Sequence, residues 1–227
     1  MKKMNHNAKI ARLIDEIKEG YRFTAGFTGR MRPDSRVVDA MIQVPRHEFV
    51  PDHEKYLAYE NYPLPIGHGQ TISQPYIVAL MTDLLDLEGN DKVLEVGTGC
   101  GYQSAIISLL VREVYTIEIV EPLALEAKRR LRDLGYSNVS VRHGDGYHGW
   151  PEQSPFNGII VTATASIVPP PLVAQLANNG KLILPLGRSG GPQELTLISK
   201  DSKGRVRQDF VLDVAFVPLT GDHGVRG

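Results

Sequence analysis

One segment limits the possible folds of this chain more than any other. Residues 93–96, Val-Leu-Glu-Val, lead directly into Gly97, Gly99 and Gly101, which alternate with other residues. The short apolar run predicts a buried strand, and the glycines predict a tight turn into a helix. Glycine also lets a ligand lie directly against the main chain. A strand, a glycine turn and a helix in this order are typical of nucleotide-binding α/β sheets.

The segments around this turn alternate between strand and helix. We predict strands at 92–96, 114–119, 139–142, 158–161 and 181–184, with helices at 104–110, 122–134 and 172–176. This alternation predicts an α/β fold with a doubly wound, mostly parallel, Rossmann-like sheet. Two more strands, 194–199 and 209–217, flank the turn residues 201–204 and predict a C-terminal antiparallel hairpin at one sheet edge.

The first third of the chain lacks this alternation. Apolar residues at helical spacing predict helices at 8–18, 35–43 and 77–87. Glycines and a proline between residues 20 and 33 predict a loop after the first helix, and the stretch up to residue 74 is predicted to be irregular. We therefore predict a single domain over 1–227, with an N-terminal helical cap and substrate segment at 1–76 and the Rossmann-like core at 77–227.

Composition argues against several classes of protein. The chain has 25 Lys and Arg against 26 Asp and Glu, so it lacks the positive excess that non-specific nucleic-acid binding requires. No stretch approaches the roughly 20 apolar residues of a membrane span, and the first residues do not resemble a signal peptide. A single cysteine, Cys100, fits a reducing compartment. We expect a cytoplasmic protein that binds neither nucleic acid nor membranes; the sequence does not indicate its oligomeric state.

Acidic residues at two further strand ends support a nucleoside site, which a glycine turn alone would indicate only weakly. Glu118 ends the next strand about 20 residues after the glycines, where a carboxylate accepts hydrogen bonds from the ribose hydroxyls of an adenosine. Asp145 follows the third strand, where an acidic side chain can meet the adenine amino group. The predicted cofactor residues of this sheet are Glu95, Gly97, Thr98, Gly99, Gly101, Glu118, Ile119, Asp145 and Gly146.

The choice between cofactors depends on Tyr102 and Glu95. The dinucleotide fingerprint has its third glycine at the position that Tyr102 occupies. Glu95 stands two residues before the first glycine. A carboxylate there suits the cationic ammonium of a methionine moiety and would repel a pyrophosphate. We therefore predict S-adenosyl-L-methionine in preference to NAD.

Other chemistries have weaker support. The seven histidines occur without a cysteine pair and without a His-Glu-x-x-His helix, so no metal site is predicted. Ser73 and Ser104 lack the Gly-x-Ser-x-Gly elbow of hydrolases. Cys100 lies at a predicted helix start, which would lower the pKa of its thiol. A small residue packed against the cofactor is the simpler interpretation of Cys100.

Four motifs outside the glycine turn are distinctive. Residues 44–51 read Val-Pro-Arg-His-Glu-Phe-Val-Pro, and residues 63–76 contain the run Gly-Gln-Thr-Ile-Ser-Gln-Pro. Residues 142–146 read Arg-His-Gly-Asp-Gly, and residues 216–221 read Phe-Val-Pro-Leu-Thr-Gly. Together they resemble the protein-L-isoaspartate O-methyltransferases over nearly the whole chain, and general methyltransferases lack the run in 63–76.

This resemblance implies a class I methyltransferase fold and a repair enzyme. Such an enzyme methylates the free α-carboxylate of L-isoaspartyl residues in damaged proteins and peptides, and the ester then collapses to a succinimide. The resemblance also implies that Ser73 is the active-site residue, that Thr71 and Ile72 line the pocket, and that Thr220 helps to enclose it. Two departures, Asn157 in place of an aspartate and Ala-Thr-Ala at 163–165, are expected near the pocket rim and bear on substrate preference.

Methyl transfer to a carboxylate needs no general base, because a nucleophile with a pKa of about 4 is already ionised near neutral pH. We therefore expect Ser73 to orient the carboxylate through a hydrogen bond. A turn serine bonded to local backbone before Pro75 is the alternative. Two other functions stay open: methyl transfer to another substrate class, and binding of S-adenosyl-L-methionine without turnover.

Overall fold

The described residues form a seven-stranded sheet with helices packed on it. The structure is a computed structural model that describes residues 6–188 and 190–221. Its α-helices are α1 (His6–Thr28), α2 (Ser35–Gln43), α3 (Pro75–Leu84), α4 (Tyr102–Ser108), α5 (Glu121–Asp133) and α6 (Pro170–Gln175). Its strands are β1 (Leu64–Gly67), β2 (Gln70–Ile72), β3 (Lys92–Val96), β4 (Glu113–Glu118), β5 (Val139–His143), β6 (Phe156–Val161), β7 (Leu176–Gly187), β8 (Gln193–Lys200) and β9 (Val206–Val214).

The strand order of the large sheet is β5-β4-β3-β6-β7-β8-β9. The strands from β5 to β7 pair in parallel, whereas β8 and β9 add an antiparallel hairpin at one edge. The predicted mostly parallel α/β sheet and its C-terminal hairpin are confirmed. The strand predicted at 181–184 is longer than expected, because β7 also pairs with Phe156 at its start and with Gln193 at its end.

Apolar side chains cover both faces of this sheet. Successive residues of a strand point to opposite faces, and Val93 and Leu94 of β3 accordingly belong to two different buried clusters. Ile159 and Ile160 of β6 divide in the same way. The buried residues of α1 and α2 join the cluster of Val93, so the N-terminal helices pack on the same core. Among the described residues, no helix has the length and apolar character needed to cross a membrane.

The first helix is longer than the sequence pattern predicts. A loop was expected after residue 18, but α1 continues through Gly20 and Gly26 to Thr28. Gly20 lies against the ring of Tyr76 in α3, and the Thr24 hydroxyl bonds both the Gly20 carbonyl at 3.0 Å and the Tyr76 hydroxyl at 2.6 Å. The loop prediction is wrong because contact with α3 outweighs the low helix propensity of glycine.

A short hairpin lies inside the stretch that was predicted to be irregular. β1 and β2 pair antiparallel around a turn in which Gly67, His68 and Gly69 all have positive φ. Ile66 packs against Gly99, since a Cβ built on Gly99 would lie 3.3 Å from the Ile66 side chain. The hairpin therefore lies on the glycine loop that follows β3.

Gly20 and Gly26 provide a matched pair of variants. Gly20→Ala places a methyl group 2.7 Å from the Tyr76 ring. We expect this overpacking to lower the free energy of unfolding by about 1–3 kcal/mol. Gly26→Ala meets nothing within 4 Å and should raise it by roughly 0.5–1 kcal/mol through helix propensity. Urea unfolding measures both, and equal effects at the two positions would contradict the packing role of Gly20.

Candidate functional site

A cleft of about 550 Å³, partly open to solvent, lies at the carboxyl ends of β3, β4 and β6. Its floor is the main chain of the glycine loop, and its walls come from the ends of β4 and β6, from the β1–β2 hairpin and from the chain after β9. Seven residues predicted from the sequence line it: Thr71, Gly97, Gly99, Glu118, Ile119, Gly146 and Thr220.

Glu118 presents a fixed carboxylate in this cleft. One of its oxygens accepts a hydrogen bond from the Gly99 amide at 2.7 Å, and the other accepts one from the Val120 amide at 2.9 Å. An ionised carboxylate has about four acceptor positions, so two amide donors leave it able to accept further hydrogen bonds. Parallel pairing of β4 with β3 places this side chain beside the glycine loop.

Thr162 is a cleft residue that the sequence reasoning missed. Its hydroxyl donates to the Gly97 carbonyl at 2.7 Å, and a Cβ built on Gly97 would lie 2.4 Å from the same hydroxyl. Gly97 has φ of 96°, a conformation that L side chains rarely adopt. A glycine is therefore needed at this position for two reasons. The available signal was the place of Thr162 directly after β6, where parallel strands end at the site.

The chain after β9 forms one wall of the cleft. The Thr164 amide donates to the Val217 carbonyl, and the Leu219 amide donates to the Thr164 carbonyl, both at 2.8 Å. These two bonds hold residues 217–220 across the end of β6. Gly221 then approaches Asp145 so closely that a Cβ there would lie 2.3 Å from a carboxylate oxygen. The predicted position of Thr220 on the cleft wall follows from this crossing.

Glu95 does not line the cleft, although its sequence position predicted contact with a cationic ligand. Its side chain is fully buried beneath the glycine loop and accepts a hydrogen bond from the Ser104 hydroxyl of α4. Its second carboxylate oxygen has no hydrogen-bond partner among the described residues. Burial, reinforced by the nearby charge of Glu118, raises the pKa of Glu95 to about 8. Glu95 thus exposes no atom to this cleft, and its assignment to the cofactor stays a prediction.

Four other predicted cofactor residues also lie outside the lining. Ile72, the last residue of β2, is buried in the core, and Gly101 caps the start of α4 with φ of 90°. The Thr98 hydroxyl bonds the Thr116 hydroxyl at 2.6 Å beneath the loop. The Asp145 carboxylate accepts a hydrogen bond from the Tyr147 amide at 2.9 Å, one residue away from the cleft residue Gly146.

A second cleft adjoins the first and contains Ser73. It is more open, with about 1320 Å³ including solvent, and it shares Thr71, Thr162 and Val217 with the first cleft. Ser73 lies between the end of β2 and Pro75, the first residue of α3. The structure thus separates the predicted active-site serine from the glycine loop, with three shared residues at the junction.

Arg46 supports Ser73 from behind. Its guanidinium donates to the Ser73 carbonyl at 2.9 Å and lies 4.9 Å from the centre of the Tyr102 ring. The side chain is fully buried, and this burial lowers the pKa of the guanidinium. Two of its nitrogens, Nε and Nη1, have no hydrogen-bond partner among the described residues. Arg46 belongs to the motif at residues 44–51, but the sequence does not predict its contact with Ser73.

The two departures from the family pattern lie in different places. Ala163 lines the first cleft, as expected for a rim residue. Asn157 is the second residue of β6, at the strand end away from the cleft, where its side chain accepts a hydrogen bond from the Lys92 amide at 3.0 Å. The expectation that Asn157 lies at the pocket rim is therefore wrong, because strand β6 separates it from the site.

Cys100 is not an activated thiol. It is buried, and burial raises the pKa of its thiol despite its position before the start of α4. Its carbonyl accepts a hydrogen bond from Arg130 at 2.8 Å. Within residues 6–188 and 190–221, no group of three or more His, Cys, Asp or Glu side chains is arranged to hold a metal ion.

Several known proteins that are similar to this chain belong to one family of methyltransferases. Residues 27–224 match the family described as protein-L-isoaspartate(D-aspartate) O-methyltransferase (PCMT). The chain is 56% identical to protein-L-isoaspartate O-methyltransferase 2 of Syntrophobacter fumaroxidans, covering 96% of this chain and 88% of the relative. It is also 56% identical to the protein of the same name from Polaromonas sp., covering 92% of this chain and 99% of that one.

Solved structures of such enzymes have the same fold. A protein-L-isoaspartate O-methyltransferase matches with a TM-score of 0.80 at 28% identity, covering 95% of this chain and 67% of the other. A beta-aspartate methyltransferase (PCMT) from Plasmodium falciparum, crystallised with S-adenosyl-L-homocysteine, matches with a TM-score of 0.78 at 27% identity. The aligned region covers 96% of this chain and 99% of the Plasmodium chain.

We expect the buried Glu95 to make the free energy of unfolding depend on pH. Between its ordinary pKa of 4.5 and about 8, the unfolded chain has lost a proton that the folded protein keeps. Folding stability therefore falls as pH rises through this window. Glu95→Gln has no proton to lose, so its free energy of unfolding should not fall in this way. The difference between the variant and the parent should therefore rise by on the order of a few kcal/mol from low to high pH.

Urea unfolding at a series of pH values across this window measures the effect. Glu126→Gln, at an exposed position of α5, is the matched control and should show no such growth. A constant difference between Glu95→Gln and the parent at every pH would show that Glu95 does not keep its proton.

Proposed function

We infer that this chain, which belongs to the protein-L-isoaspartate(D-aspartate) O-methyltransferase family, methylates the α-carboxylate of L-isoaspartyl residues in damaged proteins and peptides. The methyl donor is S-adenosyl-L-methionine. The observation that carries the inference is the pair of adjoining clefts, one built on the glycine loop and Glu118, the other containing Ser73. A donor and a client that occupy the two clefts meet at the residues the clefts share.

The residues of the first cleft fit S-adenosyl-L-methionine. Gly97 leaves bare main chain on the floor, and the Glu118 carboxylate has acceptor capacity left for ribose hydroxyls. Apolar side chains of Val96, Ile117 and Leu219 provide walls that suit an adenine ring. When bound, S-adenosyl-L-methionine supplies a methyl group on a sulfonium, whose transfer breaks a carbon–sulfur bond and forms a carbon–oxygen bond to the carboxylate.

We assign Ser73 the role of orienting the client carboxylate through a hydrogen bond from its hydroxyl. The carboxylate is ionised near neutral pH, so the protein contributes alignment and exclusion of water and no base. Arg46 supports this role, because its buried positive charge lies directly behind the Ser73 main chain. A charge shielded from water attracts an anion more strongly than an exposed one does.

Four predicted residues that do not line the cleft receive a supporting role in this proposal. The side chains of Ile72 in the hairpin and Thr98 in the glycine loop are buried, and Gly101 caps the start of α4. They shape the main chain that the cofactor touches. Asp145 stands beside Gly146 and Gly221, and we assign it to the adenine end of the cleft.

We propose that the protein works in the cytoplasm and does not methylate nucleic acids. The chain has one cysteine, which is free and buried, and its positive and negative residues are nearly equal in number. Both properties fit a protein-modifying enzyme in a reducing compartment. Fractionation of the producing cells tests the location, and recovery of the protein outside the cytoplasm would contradict it.

A matched pair of peptides tests the reaction. Purified protein with labelled S-adenosyl-L-methionine should transfer base-labile methyl to a peptide containing isoaspartate and not to the same peptide containing aspartate. Ser73→Ala should lower kcat by roughly 10- to 100-fold, because only the orienting hydrogen bond is lost. Ser202→Ala, in an exposed turn, is the control. Equal methylation of both peptides would contradict the assignment of the substrate.

A binding experiment separates the two clefts. Glu118→Gln replaces the charged acceptor by an amide and should weaken S-adenosyl-L-homocysteine about 10-fold or more in calorimetry, because charged hydrogen bonds are the stronger ones. Ser73→Ala should leave that affinity within about twofold of the parent. Loss of S-adenosyl-L-homocysteine binding in Ser73→Ala would contradict the assignment of Ser73 to the client and show that it contacts the cofactor.

A further inference from the structure

An apolar groove extends from the Ser73 cleft along the second half of α1. It lies between this helix, the start of α3 and strand β9, which is the edge strand of the large sheet. Its volume is about 940 Å³ including solvent, which leaves room for several side chains. The aromatic and aliphatic residues that line it are Phe23, Phe27, Tyr76, Ile77, Phe210 and Leu212.

Three phenylalanines of this groove are exposed to an unusual degree. Phe23 is 88% exposed, Phe27 is 69% exposed and Phe210 is 51% exposed. Phe23 and Phe27 are four residues apart and therefore lie side by side on α1. The residues that anchor α1 to the core, such as Ile17 and Tyr21, are fully buried. The exposed rings thus contribute little to the packing of the helix, and a grouped apolar surface of this kind marks a site of interaction.

The groove is continuous with the cleft that contains Ser73. Gln74, Ile77 and Asp213 line both. A polypeptide whose modified residue lies at Ser73 therefore passes these three residues and reaches the phenylalanines without leaving the surface. Asp213 is the one charged side chain among the described residues that line the groove, so an acidic segment would be repelled.

We propose that this groove binds apolar side chains of the client polypeptide on one side of the isoaspartyl residue. The inference rests on the proposed function, because only a polypeptide client extends from the Ser73 cleft into its surroundings. Phe23 and Phe27 are the specificity-determining residues of the groove. They favour clients in which damage lies next to an apolar or aromatic segment, which unfolding exposes to solvent.

A set of peptides with the same short isoaspartyl core tests the proposal. One peptide is the core alone, one carries three apolar or aromatic residues before it, one carries them after it, and two carry glycine and serine at these positions. We expect the apolar extension on one side to lower KM about tenfold relative to the glycine-serine extension, since burial of one aromatic ring accounts for at least this much.

The double variant Phe23→Ser/Phe27→Ser should remove this gain and leave kcat/KM for the core peptide unchanged. Leu125→Ser is the matched control, because Leu125 is 61% exposed on α5 and lies outside the groove. Circular dichroism verifies that α1 remains folded. Retention of the gain in the double variant, or no gain from either apolar extension, would overturn the proposal.

Two other outcomes are distinguishable. If the core peptide is not methylated by the parent protein, the proposed function fails and the groove proposal fails with it. If the double variant changes the sedimentation coefficient of the protein and leaves the KM of every peptide unchanged, the groove binds a second copy of the chain, and a client role is excluded.

Discussion

The parallel strands β3, β4 and β6 end in register at their carboxyl ends, and the site depends on this alignment. Val96 of β3 is paired with Ile117 of β4 on one side and with Val161 of β6 on the other. The next residues are Gly97, Glu118 and Thr162, so an amide-rich loop, a carboxylate and a hydroxyl meet at one place. Because side chains alternate along a strand, a register shift of one residue would turn each of these groups to the opposite face. Bonds across the strand ends maintain the register, including the one from the Thr162 amide to the Val96 carbonyl at 2.9 Å.

Two buried ionisable groups hold the first turn of α4 against the carboxyl ends of these strands. The Glu95 carboxylate accepts a hydrogen bond from the Ser104 hydroxyl. The Arg46 guanidinium, which also contacts Ser73 of the second cleft, lies on the ring of Tyr102. Burial of each group is costly, and each keeps at least one polar atom without a hydrogen-bond partner among the described residues. Burial opposes ionisation of both, and it shifts the pKa of Glu95 up and that of Arg46 down. These two groups connect α4 to both clefts, since Glu95 precedes the glycine loop and Arg46 contacts Ser73. Their burial therefore fits a site that needs a rigid geometry.

Most helices and strands could be predicted from local sequence patterns. The predicted strand 92–96 matches β3, and the helix at 35–43 matches α2, since hydrophobic spacing and nearby turn residues decide such elements locally. The prediction failed where a distant segment decides the structure. Gly20 is helical because α3 packs on it, and β1 and β2 form a hairpin because the glycine loop supports Ile66. Sequence position also identified residues close to the cleft more reliably than residues that face it. Glu95 stands two residues before Gly97 and Thr98 directly after it, and both side chains are buried in the interior.

Four features can be predicted from the amino-acid sequence alone: the class of sheet, the glycine loop, the carboxylate of Glu118 and the family. Each depends on a continuous run of residues or on the regular spacing of parallel strands. Four other features emerge only from the folded chain: the division into two clefts, the wall at 217–220, the contact of Arg46 with the Ser73 carbonyl and the apolar groove beside α1. These features join segments far apart in the chain, such as Thr164 and Val217, through single hydrogen bonds and close packing. No local pattern records such contacts, because their stability comes from burial that exists only once the whole domain has folded.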